Sequence, residues 1–259
     1  RIVSGSDDNT LRLWGAVQQQ ALRLFTGHED WVRSVAVLGD GRFVSGCVSM
    51  TLRLCDATQG QVLHVFNKHQ YWVPIMRGLR HDNPFGSVAA LDDGRFVSGN
   101  TDHTLRLWDA AQEHELRVFT GHEHVVTSIA ALGDGRFVSG SGDKTLRLWD
   151  AAQEHALRVF LGHQYSVNCV AALGDGRFVS GCDDGSLRLW DAREYEALGE
   201  YQWGDYGYYD SVRCVAALND GRFVSGSDDG SLRLWDARGE YEALRVVIGH
   251  EDRVDCATT

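Results

Sequence analysis

The sequence predicts an all-β fold made of one repeating four-stranded unit, and three observations carry that prediction. The first is self-similarity at a spacing near 41 residues, the mark of a repeat architecture. RIVSG begins at Arg1, and RFVSG begins at Arg42, Arg95, Arg136, Arg177 and Arg222. The second is an anchor ten residues after each Ser of that string: Trp14, Cys55, Trp108, Trp149, Trp190 and Trp235. Asp follows it in five of the six units. The third is 29 Gly against 2 Pro in 259 residues, a Gly excess over the usual ~7% that signals many tight turns.

The fourth unit shows how each element arises. Residues 125–132 form its expected first strand. The turn at Gly133, Asp134 and Gly135 leads into a second strand at 136–140. Ser141, Gly142, Asp143 and Lys144 turn the chain into a third strand at 145–149, and a fourth follows at 156–160. Each segment is short, bounded by Gly/Asp turns and alternating in part, as in Thr145, Leu146, Arg147 and Leu148. No segment sustains a helical period, and no run of about 18 apolar residues spans a membrane.

A third anchor, Gly–His, falls fourteen residues after Trp14, Trp108 and Trp149, at His28, His122 and His163, and one residue later at His250. With Gly–His, a Ser–Gly–Ser–x–Asp turn and Trp–Asp, essentially the whole chain resembles the WD40-repeat β-propeller family. The resemblance implies a six-bladed WD40 β-propeller of four-stranded antiparallel blades, one unit per blade, as a single domain over residues 1–259. The chain opens in a second strand at Arg1, and residues 249–259 align with the segment around residues 166–173. That tail is therefore expected to supply the missing first strand of the opening blade and close the ring. A seventh blade would require residues outside this chain, whose first residue is Arg1 and not Met.

The resemblance also implies a hydrogen-bonded network within each blade. Its members are His122, Ser139, Asp143 and Trp149 in the fourth blade, and His163, Ser180, Asp184 and Trp190 in the fifth. In the first blade they are His250, Ser4, Asp8 and Trp14, the histidine coming from the tail. The chemistry is sound without the family: a buried indole N–H needs an acceptor, and a carboxylate holds an imidazole in one tautomer. A Ser, a His and an Asp invite a hydrolase reading. A catalytic triad occurs once, however, whereas this set recurs with the repeat, and its Ser lies in a strand rather than a nucleophile elbow. The second blade departs most, with Ser49 for Asp and Cys55 for Trp, and is expected to be the weak point. The third has two candidate histidines, His69 and His81, and the sixth has Tyr208 where His belongs.

Six cysteines form no CxxC pair and no Cys/His cluster at zinc spacing. Cys169, Cys214 and Cys256 share one first-strand position and read as core, whereas Cys47 and Cys182 end second strands near turns and are expected to be more exposed. Reduced thiols in an intracellular, cytoplasmic protein are expected, with no metal and no cofactor. Arg12, Arg53, Arg106, Arg147, Arg188 and Arg233 recur in third strands and are read as packing their stems and reaching carboxylates. A net charge of −11 argues against nucleic acid and anionic membrane surfaces.

Function is expected where the repeat is broken. Twelve residues are added between His69 and His81, and four are added around residues 203–209. Both insertions precede a first strand, on the face that WD40 proteins usually present to partners. Tyr71, Trp72 and Phe85 are expected to line one side of a cleft, and Trp203, Tyr206 and Tyr209 the other. The family's loop positions hold Trp31, Tyr165, Tyr209 and Arg253. Tyr, Trp and Arg dominate binding hot spots; the competing reading is that the inserted aromatics only cover their own loops. The function expected is a non-enzymatic protein–protein interaction scaffold or assembly subunit that binds a protein or peptide, with no small-molecule substrate. The alternative is a small-ligand or glycan-binding propeller, or a hydrolase-like one.

Overall fold

In the computed structural model, residues 1–15, 20–49, 51–66, 87–194, 196–202, 210–218, 220–239, 242–248 and 254 are described. They contain strands and turns, and no helix among them is long and apolar enough to cross a membrane. The chain divides into two compact units, Arg1–Thr120 and Gly121–Thr259.

In the first unit, β1 (Ile2–Gly5), β2 (Leu11–Trp14) and β3 (Ala21–Phe25) make a three-stranded sheet. A four-stranded sheet follows, of β4 (Val32–Val37), β5 (Arg42–Cys47), β6 (Leu52–Asp56) and β7 (Gln61–Phe66). Another contains β8 (Val88–Ala90), β9 (Arg95–Gly99), β10 (Leu105–Asp109) and β11 (His114–Phe119). The second unit has three four-stranded sheets. They are β12 (Val126–Gly133), β13 (Arg136–Ser141), β14 (Leu146–Asp150) and β15 (Arg158–Phe160); β16 (Val167–Ala172), β17 (Arg177–Cys182), β18 (Ser186–Asp191) and β19 (Ala197–Gln202); and β20 (Val212–Ala217), β21 (Arg222–Ser227), β22 (Ser231–Asp236) and β23 (Arg245–Ile248). Every pairing is antiparallel between chain neighbours, as short Gly/Asp turns dictate.

Burial explains the repeated sequence. Second strands such as β13 and β17 are buried on both faces after their first Arg, so they read as continuous small or apolar runs. Outer strands such as β11 alternate exposed and covered positions. In four units the Gly of the repeated string is a close-approach site. A Cβ on Gly140 would meet Val167 at 2.7 Å, and one on Gly181 would meet Val212 at 2.6 Å. Within the first unit, a Cβ on Gly5 would meet Val32 at 2.6 Å. Each of these glycines thus admits the first-strand valine of the following sheet. Gly226 admits Val254 in the same way, at 2.6 Å, and the Val254 N–H donates to the Ser227 carbonyl at 3.0 Å. The tail residue therefore holds the place of a next first-strand valine, as its alignment with Val167 implies. The remainder of the expected closing strand lies outside the described residues.

Turn chemistry is equally regular. The Asp after each third-strand anchor accepts a backbone N–H two residues on: Asp109 from Ala111 at 2.7 Å, Asp150 from Ala152 at 2.8 Å and Asp236 from Arg238 at 2.8 Å. Arg42 and Arg177 clamp the Asp two residues before them, at 2.7 and 2.8 Å. Their other nitrogens reach the Ala110 and Ala237 carbonyls of the following sheets, at 2.8 and 2.9 Å.

Candidate functional site

In the second, fourth, fifth and sixth sheets the loop entering the first strand meets the turn between the second and third strands. The Gly142 N–H donates to the Val125 carbonyl at 3.0 Å, Asp183 to Ser166 at 3.1 Å, and Val48 to Trp31 at 2.9 Å. Beneath this loop-bearing end sit the repeated polar side chains. In the fourth sheet, the Trp149 indole N–H donates to Ser139 Oγ at 2.8 Å. His122 Nε2 bonds the same oxygen at 2.7 Å, and its Nδ1 meets Asp143 Oδ2 at 2.7 Å. Burial would raise the Asp143 pKa, but hydrogen bonds from His122 and Thr145 hold it well below the usual carboxylate range. Four side chains from two strands, the turn between them and the entering loop are thereby locked together.

This Asp–His–Ser series has the bond pattern of a hydrolytic triad. Ser139, however, is fully buried, and its Oγ already takes the Trp149 indole, so a substrate carbonyl has no approach.

The other sheets keep parts of the pattern. The indoles of Trp14, Trp108, Trp190 and Trp235 donate to Ser4, Ser98, Ser180 and Ser225 at 2.8, 2.9, 2.8 and 2.7 Å. Asp8 caps Thr10, at 2.9 Å from its N–H, and pairs with Arg12 at 3.1 Å. Of the repeated arginines, Arg12, Arg106, Arg188 and Arg233 reach carboxylates, and Arg53 reaches a backbone carbonyl. Arg106 bridges Asp102 and Glu115 at 2.9 Å each, Arg188 meets Glu200 at 3.1 Å, Arg233 meets Asp229 at 3.5 Å, and Arg53 donates to the Gly27 carbonyl.

In the fifth sheet His163 Nε2 bonds Ser180 Oγ at 2.6 Å, but Nδ1 has only Ser186 Oγ at 3.4 Å. Asp184 accepts the Ser186 N–H at 2.9 Å, as Asp143 accepts that of Thr145, but makes no hydrogen bond to the ring. A ring nitrogen of His163, Cys182 Sγ and an Asp184 oxygen lie within 4.8 Å of one another. Spacing rules miss this group because His and Cys are nineteen residues apart and meet through the loop-to-turn contact. Two exposure expectations are corrected: Cys47 and Cys182 are 3% and 0% exposed, because the loop entering the first strand covers the strand end. Burial also pushes the Cys55 and Cys182 thiols up to about 12.

The second sheet shows what a missing Asp costs. His28 Nε2 bonds Ser45 Oγ at 2.8 Å, while its buried Nδ1 has no partner among the described residues. Ser49 stands where Asp143 stands in the fourth sheet and bonds Cys47 Sγ at 3.0 Å instead. An unsatisfied buried polar atom costs about 1–3 kcal/mol. Ser49→Asp is therefore expected to raise the melting temperature by several degrees, at about 2–4 °C per kcal/mol for a chain of this size. Hydrogen exchange across residues 42–66 should slow in parallel. An unchanged melt and unchanged exchange would mean that water already serves Nδ1.

Among the expected contact residues, Trp31 and Tyr165 stand on these loops, 45% and 48% exposed. The Arg33 guanidinium lies 4.8 Å from the Trp31 ring centroid, and the Lys144 ammonium lies 5.8 Å from that of Tyr165. Tyr71, Trp72, Phe85, Trp203, Tyr206, Tyr209, Arg253 and the network histidine His250 lie outside the described residues.

Residues 1–15, 19–56, 60–109, 113–150, 155–191 and 203–236 match the family model of the WD domain, G-beta repeat (WD40). A nuclear distribution protein, PAC1 of Mycosarcoma maydis, is 39% identical over 41 residues, 16% of this chain and 9% of that protein's length. The solved structure of U3-55K is similar with a TM-score of 0.83 at 25% identity, covering 96% of this chain and 79% of that one. Repeats, sheets and family model coincide over most of the chain: it belongs to the WD40 family, and each of its sheets is a blade of that family's propeller.

Proposed function

We propose that residues 1–259 act as one propeller domain, a non-enzymatic scaffold that binds a protein or peptide at its loop-bearing blade ends within a larger complex. WD40 propellers are typically interaction scaffolds. The observation that carries the reading here is the pair of exposed aromatics, Trp31 and Tyr165, on loops held by backbone hydrogen bonds to the turn beside them. A preformed aromatic anchor loses little entropy on binding and can contribute about 2 kcal/mol or more. The buried Ser139 supports binding over hydrolysis at the Ser–His–Asp sets. Glu29 and Asp30 adjoin Trp31 and Glu123 follows His122, which favours a partner with an apolar anchor and basic flanks, held less tightly at high salt.

Affinity capture from an extract of the source cells, read by mass spectrometry, tests this. Trp31→Ala and Tyr165→Ala are each expected to lower the affinity for the retained protein at least tenfold with unchanged melting curves. Capture that is indifferent to both variants would move the binding surface elsewhere. Retention of a glycan or metabolite and of no protein would overturn the scaffold reading.

A further inference from the structure

The fifth blade differs from the fourth by two changes around its histidine. Ser141 of the fourth blade donates to the His124 carbonyl at 3.1 Å, and His122 bonds Asp143 directly. In the fifth, Cys182 replaces that serine, and the carboxylate of Asp184 is not on the imidazole. His163 is 6% exposed and Cys182 0%, so a histidine nitrogen and a thiol share a buried space bordered by the half-buried carboxylate of Asp184. Among the described residues this is the one group of three or more His, Cys, Asp or Glu side chains close enough to share an ion. The second blade has His28 and Cys47 but Ser49 as its third member.

We propose that His163 Nδ1, Cys182 Sγ and the Asp184 carboxylate form a buried site for a four-coordinate zinc ion. A mixed N/S/O donor set suits zinc, whose bonds run about 2.0–2.1 Å to nitrogen, 2.3 Å to sulfur and 2.0–2.2 Å to oxygen. Atoms already within 4.8 Å of one another reach those distances by side-chain adjustments of about an ångström. Ser186 Oγ, 3.4 Å from Nδ1, borders the fourth position. The outer shell is in place: Ser180 Oγ lies 2.6 Å from Nε2 and keeps a lone pair beyond the one that takes the Trp190 N–H. Placing the proton on Nε2 frees the Nδ1 lone pair for the metal. On binding, the Cys182 S–H bond breaks, the S–Zn bond forms and the proton leaves to solvent. Thiolate and carboxylate then balance the two positive charges. The charge of Arg188, which acts on His163, is itself paired with Glu200 at 3.1 Å.

Cobalt(II) is the probe, added to the reduced chain after stripping with a chelator. One equivalent is expected to produce a sulfur-to-cobalt charge-transfer band, bleached by zinc. Cys182→Ser should abolish the band while retaining the fold, because serine stands at that position in the fourth and sixth blades. Cys47→Ser should leave the band intact, and Asp184→Asn should weaken cobalt binding at least tenfold. Zinc should raise the melting temperature of the parent chain and not that of Cys182→Ser. Absence of the band at saturating cobalt, or its survival in Cys182→Ser, overturns the site.

Discussion

Trp149→Ala is expected to lower the melting temperature by about 10 °C or more, at roughly 2–4 °C per kcal/mol for a chain of this size. Trp149 is fully buried, lies near parallel to Phe137 at 6.5 Å and 17°, and sits 6.1 Å from the His122 ring. Truncating a buried Trp costs about 3–5 kcal/mol, because the transfer free energy is lost and the cavity only partly collapses. Ser139 keeps His122 as a partner, so the loss is mainly packing. Trp149→Phe separates the two contributions: it restores most of the ring and removes only the indole hydrogen bond, worth about 0.5–1.5 kcal/mol. The equivalent change in the second blade, Cys55→Ala, removes one sulfur atom from a core that includes Phe25 and Phe43. Its cost should stay near 1 kcal/mol, as for other small truncations. Thermal melts of the three variants check the ranking. Equal losses at Cys55 and Trp149 would show that the second blade is as tightly built as the fourth, contrary to its missing network members.

The blades were legible because each fulfils the same local rules. RFVSG is a strand with a Gly where the following first-strand valine packs, as at Gly140 against Val167. Strand bounds in the fourth blade fall within a residue or two of those expected, 136–140 against Arg136–Ser141 and 145–149 against Leu146–Asp150. The bond set of His122, Ser139, Asp143 and Trp149 follows from residue type and repeat position together. Repeat position alone failed in the fifth blade. Asp184 is aligned with Asp143 and caps Ser186 as Asp143 caps Thr145, yet it leaves His163 Nδ1 without a direct carboxylate bond. Cys182 looked exposed because it ends a strand beside a turn. The covering loop, fixed by the Asp183-to-Ser166 backbone bond at 3.1 Å, is a tertiary fact that no local pattern encodes. The same holds for the orphaned Nδ1 of His28, whose cause, Ser49, was visible but whose burial was not.

Acid is expected to destabilise the chain between pH 6.5 and about 4, through two histidines buried as neutral rings. Burial, reinforced by the nearby Arg53 charge, lowers the His28 pKa from 6.5 to about 4. Burial and Arg188 lower His163 to about 4 as well, against an opposing pull from Asp184. The unfolded chain therefore binds more protons than the folded chain throughout this window, so stability rises with pH across it. The contribution is whole above pH 6.5 and falls steadily as pH drops towards 4. Below that both states are protonated and these two groups add no further loss. One pKa unit corresponds to about 1.4 kcal/mol, so each histidine withdraws up to about 3 kcal/mol. The sum rivals the whole stability of a small domain, about 5–15 kcal/mol. Asp143 acts lower: its stabilisation is present above its unfolded pKa of 3.8 and is lost only as pH falls through its lower folded value. Denaturant melts at pH 7.5, 6, 5 and 4.5, with a chelator present so that no metal holds His163, should show a steepening loss from pH 6.5 downwards. Replacing His28 by Gln removes one titrating ring and should roughly halve the slope, even where it lowers stability at pH 7.5. A flat profile from pH 7 to 4.5 would mean that both rings take up protons in the fold as readily as in water.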